Sequence, residues 1–184
     1  LKRFEIPVTL AINGSVCTTY PRVASAALEA GWEFIGHGFN QRPMHLIEDE
    51  LEVINQTIEA IHSFTGRVPR GWESPGLTET FDTIDRLAAA GIEYVADWVL
   101  DDQPVEIATK DGSVLSIPYT VETNDITMIA LQQHESREIF ERTKAQFDQL
   151  DEYNRRIRDL RRALQDSEAD KDKLRLDADR VDEL

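Results

Sequence analysis

The chain has 184 residues, of which 41% are hydrophobic and 30% charged, enough for one domain with a substantial core. A formal net charge of -15 and a pI of about 4.6 make it repel phosphate backbones and anionic headgroups, so nucleic acid and membrane surfaces are not expected partners. No apolar run approaches the ~20 residues of a membrane span, and LKRFEIPVTL lacks the uninterrupted apolar stretch of a signal peptide.

In chain order, IPVTLAI (6–12) is a β-branched run ending at Asn13-Gly14, a strand followed by its turn. RVASAALEAG (22–31) is helix-prone and stops at Gly31. WEFIGH (32–37) is the next strand. Over 45–66, Ile47, Leu51, Ile54, Ile58 and Ile61 recur at three- and four-residue steps, which predicts a helix stopped by Gly66. RVPRGWE (67–73) is short and extended, and Thr78 is placed to cap a helix over 79–91. IEYVADWVL (92–100) and SVLSIPYT (113–120) are further strands, a polar loop spans Glu122–Asp125, and a last helix begins near Glu135.

Alternating strands and helices with short connections imply mostly parallel pairing with right-handed crossovers. An open Rossmann-type sheet and a (β/α) barrel both satisfy this pattern. NGSVCTTYP, after the first strand, is not a G-x-G-x-x-G phosphate cradle. The expected fold is therefore α/β, a barrel-like sheet incomplete in this chain. The absence of an initiator methionine points to an excised or truncated sequence. The single cysteine, Cys17, excludes an internal disulfide and a cysteine zinc cluster; it suits a cytoplasmic protein and reads as a small buried thiol near a strand end.

In such sheets, reactive groups gather where strands end and loops begin. The candidates there are Asn13, His37, Arg70 to Glu73, Asp97-Trp98, Tyr119 and the loop Asn124-Asp125. GHGFNQRPMH places His37 at a strand end and His45 at the start of the long helix, where the dipole favours a neutral imidazole. Pro43 prevents one helix from carrying both, but a loop can return them to one rim as two ligands for Zn²⁺ or a similar divalent ion. The plain alternative is a strand-end histidine bonded to backbone and an incidental neighbour; His62 reads as a favourable charge at a helix C-terminus. Arg70, with its rigid fork, is a candidate for orienting a carboxylate or binding a carbonyl, and Glu73 is the carboxylate beside it. Trp72 offers either a flat wall for a substrate or a core residue. Asp97, Trp98, Asp101 and Asp102 form a shaped acidic loop, the alternative being a solvated face.

The final stretch differs in kind. Residues up to about 148 hold all the Gly, Pro, Trp and Phe, and the part before residue 151 carries -13 of the net charge. Leu150, Tyr153, Ile157, Leu160 and Leu164, then Leu174, Ala178 and Val181, follow alternating three- and four-residue steps interrupted at Ser167 and Lys171. This reads as a coiled-coil-like helix over 149–184 appended to a domain over 1–148, self-associating or docking on another helix through 150–184. A long solvated helix is the alternative, although an unpacked helix is marginal in water.

Residues 6–150 resemble the polysaccharide-deacetylase (NodB-homology) family, in its allantoinase-like and cyclic-imide-hydrolase-like branch. The resemblance rests on GHGFNQRPMH, TGRVPRGWESPG, TFDTIDRLAAAGIEYVADWVLDDQP and IPYTVETND, in family order. It implies a distorted (β/α) barrel and hydrolysis of a carbon–nitrogen bond other than a peptide bond, in a cyclic ureide, an imide or an N-acetyl group. It also implies His37 and His45 as metal ligands, more widely spaced than the family's usual pair, with Arg70 and Asp97-Trp98 in later motifs. The family's Asp-Asp strand is expected upstream of Leu1 and its His-Pro motif after residue 150; His134 is followed by Glu135 instead. Lacking both, this chain is expected to be impaired in catalysis. The alternative is a non-catalytic scaffold assembled through its C-terminal helix.

Overall fold

The computed structural model describes residues 6–182, without the side chains of 166 and 168–182, so the heptad positions Leu174, Ala178 and Val181 lie outside the described side chains. Thr9–Ile12 (β1) and Glu33–Gly36 (β2) pair in parallel, from Thr9 opposite Glu33 to Ile12 opposite Gly36. Between them run two short helices, Gly14–Thr19 (α1) and Pro21–Glu29 (α2). Pro21 opens α2, where a missing N–H costs no helical bond. Ala24 and Ala27 bring α2 close to a buried cluster of Ile12, Cys17, Phe34 and Ile61. The Cys17 thiol is buried, and that burial raises its pKa.

The long helix is Glu50–Thr65 (α3), and it starts later than the periodicity predicts. Asp49 takes the cap, its carboxylate accepting the Glu52 N–H at 3.0 Å, while Met44–Leu46 forms a separate 3₁₀ turn. Gly66 ends the helix at φ 73°, a left-handed conformation suited to glycine. Two-residue strands follow at Gly71–Trp72 (β3) and Tyr94–Val95 (β4), separated by the helix Thr83–Ala89 (α4). Glu50, only 3% exposed, ties α3 to α4 by accepting from Thr83 Oγ at 3.0 Å and pairing with Arg86 Nη1 at 2.6 Å.

Val105–Thr109 (β5) and Gly112–Ser116 (β6) form an antiparallel hairpin, and β6 runs parallel to β4. The six-strand order is β1-β2-β3-β4-β6-β5. The first four strands lie side by side in chain order, without the reversal that defines a doubly wound sheet. This is the winding of a barrel-type fold. Trp72, Met44, Ile54, Leu87, Ile92, Val95 and Val114 form the main core. The Trp72 indole lies across Gly36, where an added Cβ would be 2.3 Å from Trp72 Cε3.

The chain divides into two compact units, Leu1–Tyr119 and Thr120–Leu184. The second holds a π-helical turn at Ile126–Leu131 and one helix, Ser136–Asp182 (α5). Pairs at i and i+4, such as Arg142–Glu138 and Lys144–Asp148, line α5. Its side chains Leu150, Tyr153, Ile157, Leu160 and Leu164 are all exposed. No described helix is long and apolar enough to cross a membrane.

Candidate active site

Parallel strands place their C-terminal ends on one rim, and four consecutive strands deliver polar groups there. Asn13 follows β1, His37 follows β2, Glu73 and Ser74 follow β3, and Asp97 lies two residues past β4. The rim is tied by its backbone: His37 N–H donates to Ile12 carbonyl at 3.1 Å, Glu73 N–H to Gly36 carbonyl at 2.9 Å, and Ala96 N–H to Trp72 carbonyl at 2.9 Å. The Asn13 side-chain amide donates to the His37 carbonyl.

One peptide group joins His37 and Asp97 on this rim. His37 Nδ1 lies 2.7 Å from the Glu73 carbonyl oxygen. That oxygen can only accept, so Nδ1 carries the proton and the neutral ring presents a lone pair at Nε2. At the other end of the same peptide group, the Ser74 N–H donates to Asp97 Oδ1. Ser74 Oγ donates to Asp97 Oδ2 at 2.9 Å and itself accepts from Trp72 Nε1 at 3.1 Å. A polarised peptide bonded at both ends strengthens each bond in a low-dielectric site.

Asp97 is 4% exposed, and its pKa is pushed up to about 7. Burial is the main cause; the charges of Glu79 and Glu73 add to it, and the Ser74 hydrogen bonds oppose it. The Glu73 carboxyl is also raised by burial, partly offset by the nearby His37. Beside these groups, His45, Glu79, Thr80, Phe81, Ile84 and Trp98 line a cavity of about 530 Å³.

Several expectations need correction. Arg70 precedes β3, so it sits at the N-terminal ends of the strands, opposite His37 and Asp97. There its guanidinium pairs with Glu93, which precedes β4, at 2.5 Å, and both side chains are largely exposed. Trp72 offers no wall to a substrate, because it is fully buried in the core. His45 lies in the 3₁₀ turn rather than at a helix start, so no helix dipole acts on it as expected; its Nδ1 is 3.4 Å from the Thr78 carbonyl. Asp101 and Asp102 are exposed, with the Asp102 N–H donating to Asp101 Oδ1 at 2.7 Å. Asn124 and Asp125 belong to the second unit, where their side chains accept from Thr127 and Ile126 N–H at the π-helical turn. Trp98 does line the cavity.

Sequence reasoning passed over Ser74 and Glu79. The signal for Ser74 was the Glu-Ser-Pro run directly after a strand; nothing local distinguishes Glu79.

Residues 1–95, which carry β1 through β4 with His37, Glu73 and Ser74, match the family model for polysaccharide deacetylase. The chain belongs to the polysaccharide deacetylase family. A peptidoglycan deacetylase from Helicobacter pylori is 24% identical over 126 residues, covering 67% of this chain and 43% of that protein. Among solved structures, a probable polysaccharide deacetylase from Pseudomonas aeruginosa PAO1 superposes with TM-score 0.70 at 27% identity, covering 83% of this chain and 52% of the other. The Puue allantoinase structure gives TM-score 0.70 at 28% identity, covering 81% and 51%. The chain thus spans about half the length of the deacetylase-family proteins it matches.

The family's metal can be tested against the donors present. His37 Nδ1 donates to a backbone carbonyl, the usual second bond of a ligating histidine, which leaves Nε2 to face a ligand. His45 is the other imidazole of this segment. Among the described residues, however, no group of three or more His, Cys, Asp or Glu is assembled to hold an ion. The donor set of this chain is therefore incomplete for a metal on the described residues.

Proposed function

We propose that this chain carries part of the machinery of a hydrolase acting on carbon–nitrogen bonds other than peptide bonds, in a cyclic ureide, an imide or an N-acetylated amine. The observation that carries the reading is the 73–74 peptide group holding His37 and Asp97 on one rim. In the reaction, His37 Nε2 takes a proton from water. The water oxygen bonds to the substrate carbonyl carbon, and collapse of that adduct breaks the C–N bond as the imidazolium passes the proton taken from water to the leaving nitrogen. Asp97, buried behind Ser74, acts as a positioning residue: it fixes the peptide that orients the imidazole. Trp98, on the cavity, is the wall against which a flat substrate group packs. Family membership and the likeness to structures named as deacetylases and an allantoinase support this reading.

The test is turnover of hydantoin, succinimide and chitotriose by the chain and by His37→Ala. Loss of general-base help predicts a fall in kcat/KM of about 10²-fold or more. Unchanged turnover in His37→Ala removes the histidine from the mechanism and overturns the reading.

A second reading, a scaffold assembled through its last helix, is favoured by the exposed row Leu150, Tyr153, Ile157, Leu160 and Leu164 on α5. At three- and four-residue steps these side chains form the stripe that a partner helix, including a second copy, would cover. Sedimentation separates the readings. Ile157→Asp with Leu160→Asp turns an assembled chain into monomers if the stripe is the interface, and a monomeric parent chain overturns it.

A further inference from the structure

The last helix carries its charge as unevenly as its apolar surface. In a chain of net charge -15, the stretch 153–162 sets Arg155, Arg156, Arg158, Arg161 and Arg162 against Asp159 alone. All five arginines are exposed. Arg155 pairs with Asp151 one turn back at 3.1 Å, and the other four form no ion pair among the described residues. They interleave with the exposed row Tyr153, Ile157, Leu160 and Leu164. Arg156 directly precedes Ile157 and Arg161 directly follows Leu160, the positions that flank a heptad seam and meet a partner helix. Further along the same helix the sign reverses: over 166–182 the sequence has seven Asp or Glu against four Lys or Arg. By register, Glu168, Asp170, Asp177 and Asp182 take the flanking positions there, against Arg175 alone.

We infer that two copies of this chain pair through α5 in antiparallel orientation, the arginine stretch of each lying against the acidic final segment of the other. The inference rests on the assembly reading above and names its partner and direction. A closed twofold pair of identical helices has two arrangements, parallel in register or antiparallel. Parallel pairing sets Arg156 of one copy against Arg161 of the other on both flanks. It also brings Lys171, which falls on the seam, against its own copy. Like charges so placed cost affinity and suppress that pairing. Reversing one helix keeps the apolar stripe covered and exchanges those repulsions for arginine–carboxylate pairs. One chain thus supplies both halves of the match, so a second copy fits the stripe where a helix of uniform charge answers only one half.

Sedimentation velocity of the full chain, of a charge-reversed variant and of their mixture tests direction as well as association. The variant combines Arg155→Glu, Arg156→Glu, Arg158→Glu, Arg161→Glu and Arg162→Glu, and glutamate forms helix about as readily as arginine. The parent is expected to be a dimer, and the variant to self-associate at least about tenfold more weakly. In the mixture, with the variant fluorescently labelled, parent dimers outcompete mixed pairs, because a mixed antiparallel pair has one attractive and one repulsive contact. The same five positions changed to glutamine fall between parent and variant, which separates charge from any loss of helix. Mixed pairs tighter than the parent dimer mean parallel helices and overturn the inference. If Ile157→Asp with Leu160→Asp still gives monomers in that case, the stripe remains the interface. A variant that assembles as tightly as the parent, or a parent assembly larger than a dimer, also overturns the antiparallel pair. A monomeric parent overturns both the pair and the assembly reading.

Discussion

Replacing Asp97 by asparagine gives a sharp test of the buried rim. Asp97 has a native pKa of about 7, against ~3.9 for an ordinary aspartate. The folded chain therefore holds the Asp97 proton more tightly than the unfolded chain. Below roughly pH 4 both states are protonated and the folded state incurs no penalty. As pH rises from there toward 7, the unfolded state loses its proton first and stability declines, levelling off above the native pKa. The gap between the two pKa values corresponds to about 4 kcal/mol, to order of magnitude. Asparagine keeps an oxygen to accept the Ser74 N–H, and Ser74 Oγ can turn to accept from the new amide. Asp97→Asn should thus unfold within about 1 kcal/mol of the parent near pH 4, and be about 2–4 kcal/mol more stable near pH 8. Urea unfolding of both proteins across that range measures the difference, in which the many other carboxylates cancel. Parallel stability curves, or a parent that gains on the variant as pH rises, would refute the reasoning.

Two further perturbations test the packing that positions the rim. Arg86→Met leaves the Glu50 carboxylate buried with Thr83 as its remaining partner. Because Arg86 is itself partly exposed, the expected loss is about 2 kcal/mol rather than the full cost of breaking a buried pair, and Glu50→Gln in the same chain restores part of it in urea unfolding. Gly36→Ala drives a methyl into the Trp72 ring, so it should cost about 2–3 kcal/mol and change the near-UV circular dichroism of the indole. An unperturbed spectrum with native stability would show that β2 and β3 are not packed as described.

Much of the sheet was legible because its signals are local. A β-branched run ending at Asn13-Gly14 marked β1, the strand-like WEFIGH ending at His37 marked β2, and the isoleucine periodicity through Ile61 marked α3. The helix start was misplaced because periodicity does not report a cap: Asp49, and not the histidine segment, supplies the acceptor. The β5–β6 hairpin was half seen. Residues 105–109 alternate in burial and turn back through Lys110-Asp111 into an antiparallel pair, which strand–helix alternation does not predict.

The amino-acid order alone determined the strand–helix alternation, the histidine segment and the family, since each is written in neighbouring residues. Tertiary structure decided which polar groups meet. β3 is two residues long, so Arg70 and Glu73, three positions apart, fall on opposite rims of the sheet, while Trp72 between them turns wholly into the core. No periodicity resolves a boundary that fine. The joining of His37 to Asp97 through a single peptide group requires three parallel strands in register, and pairing between distant segments is information that no local pattern contains.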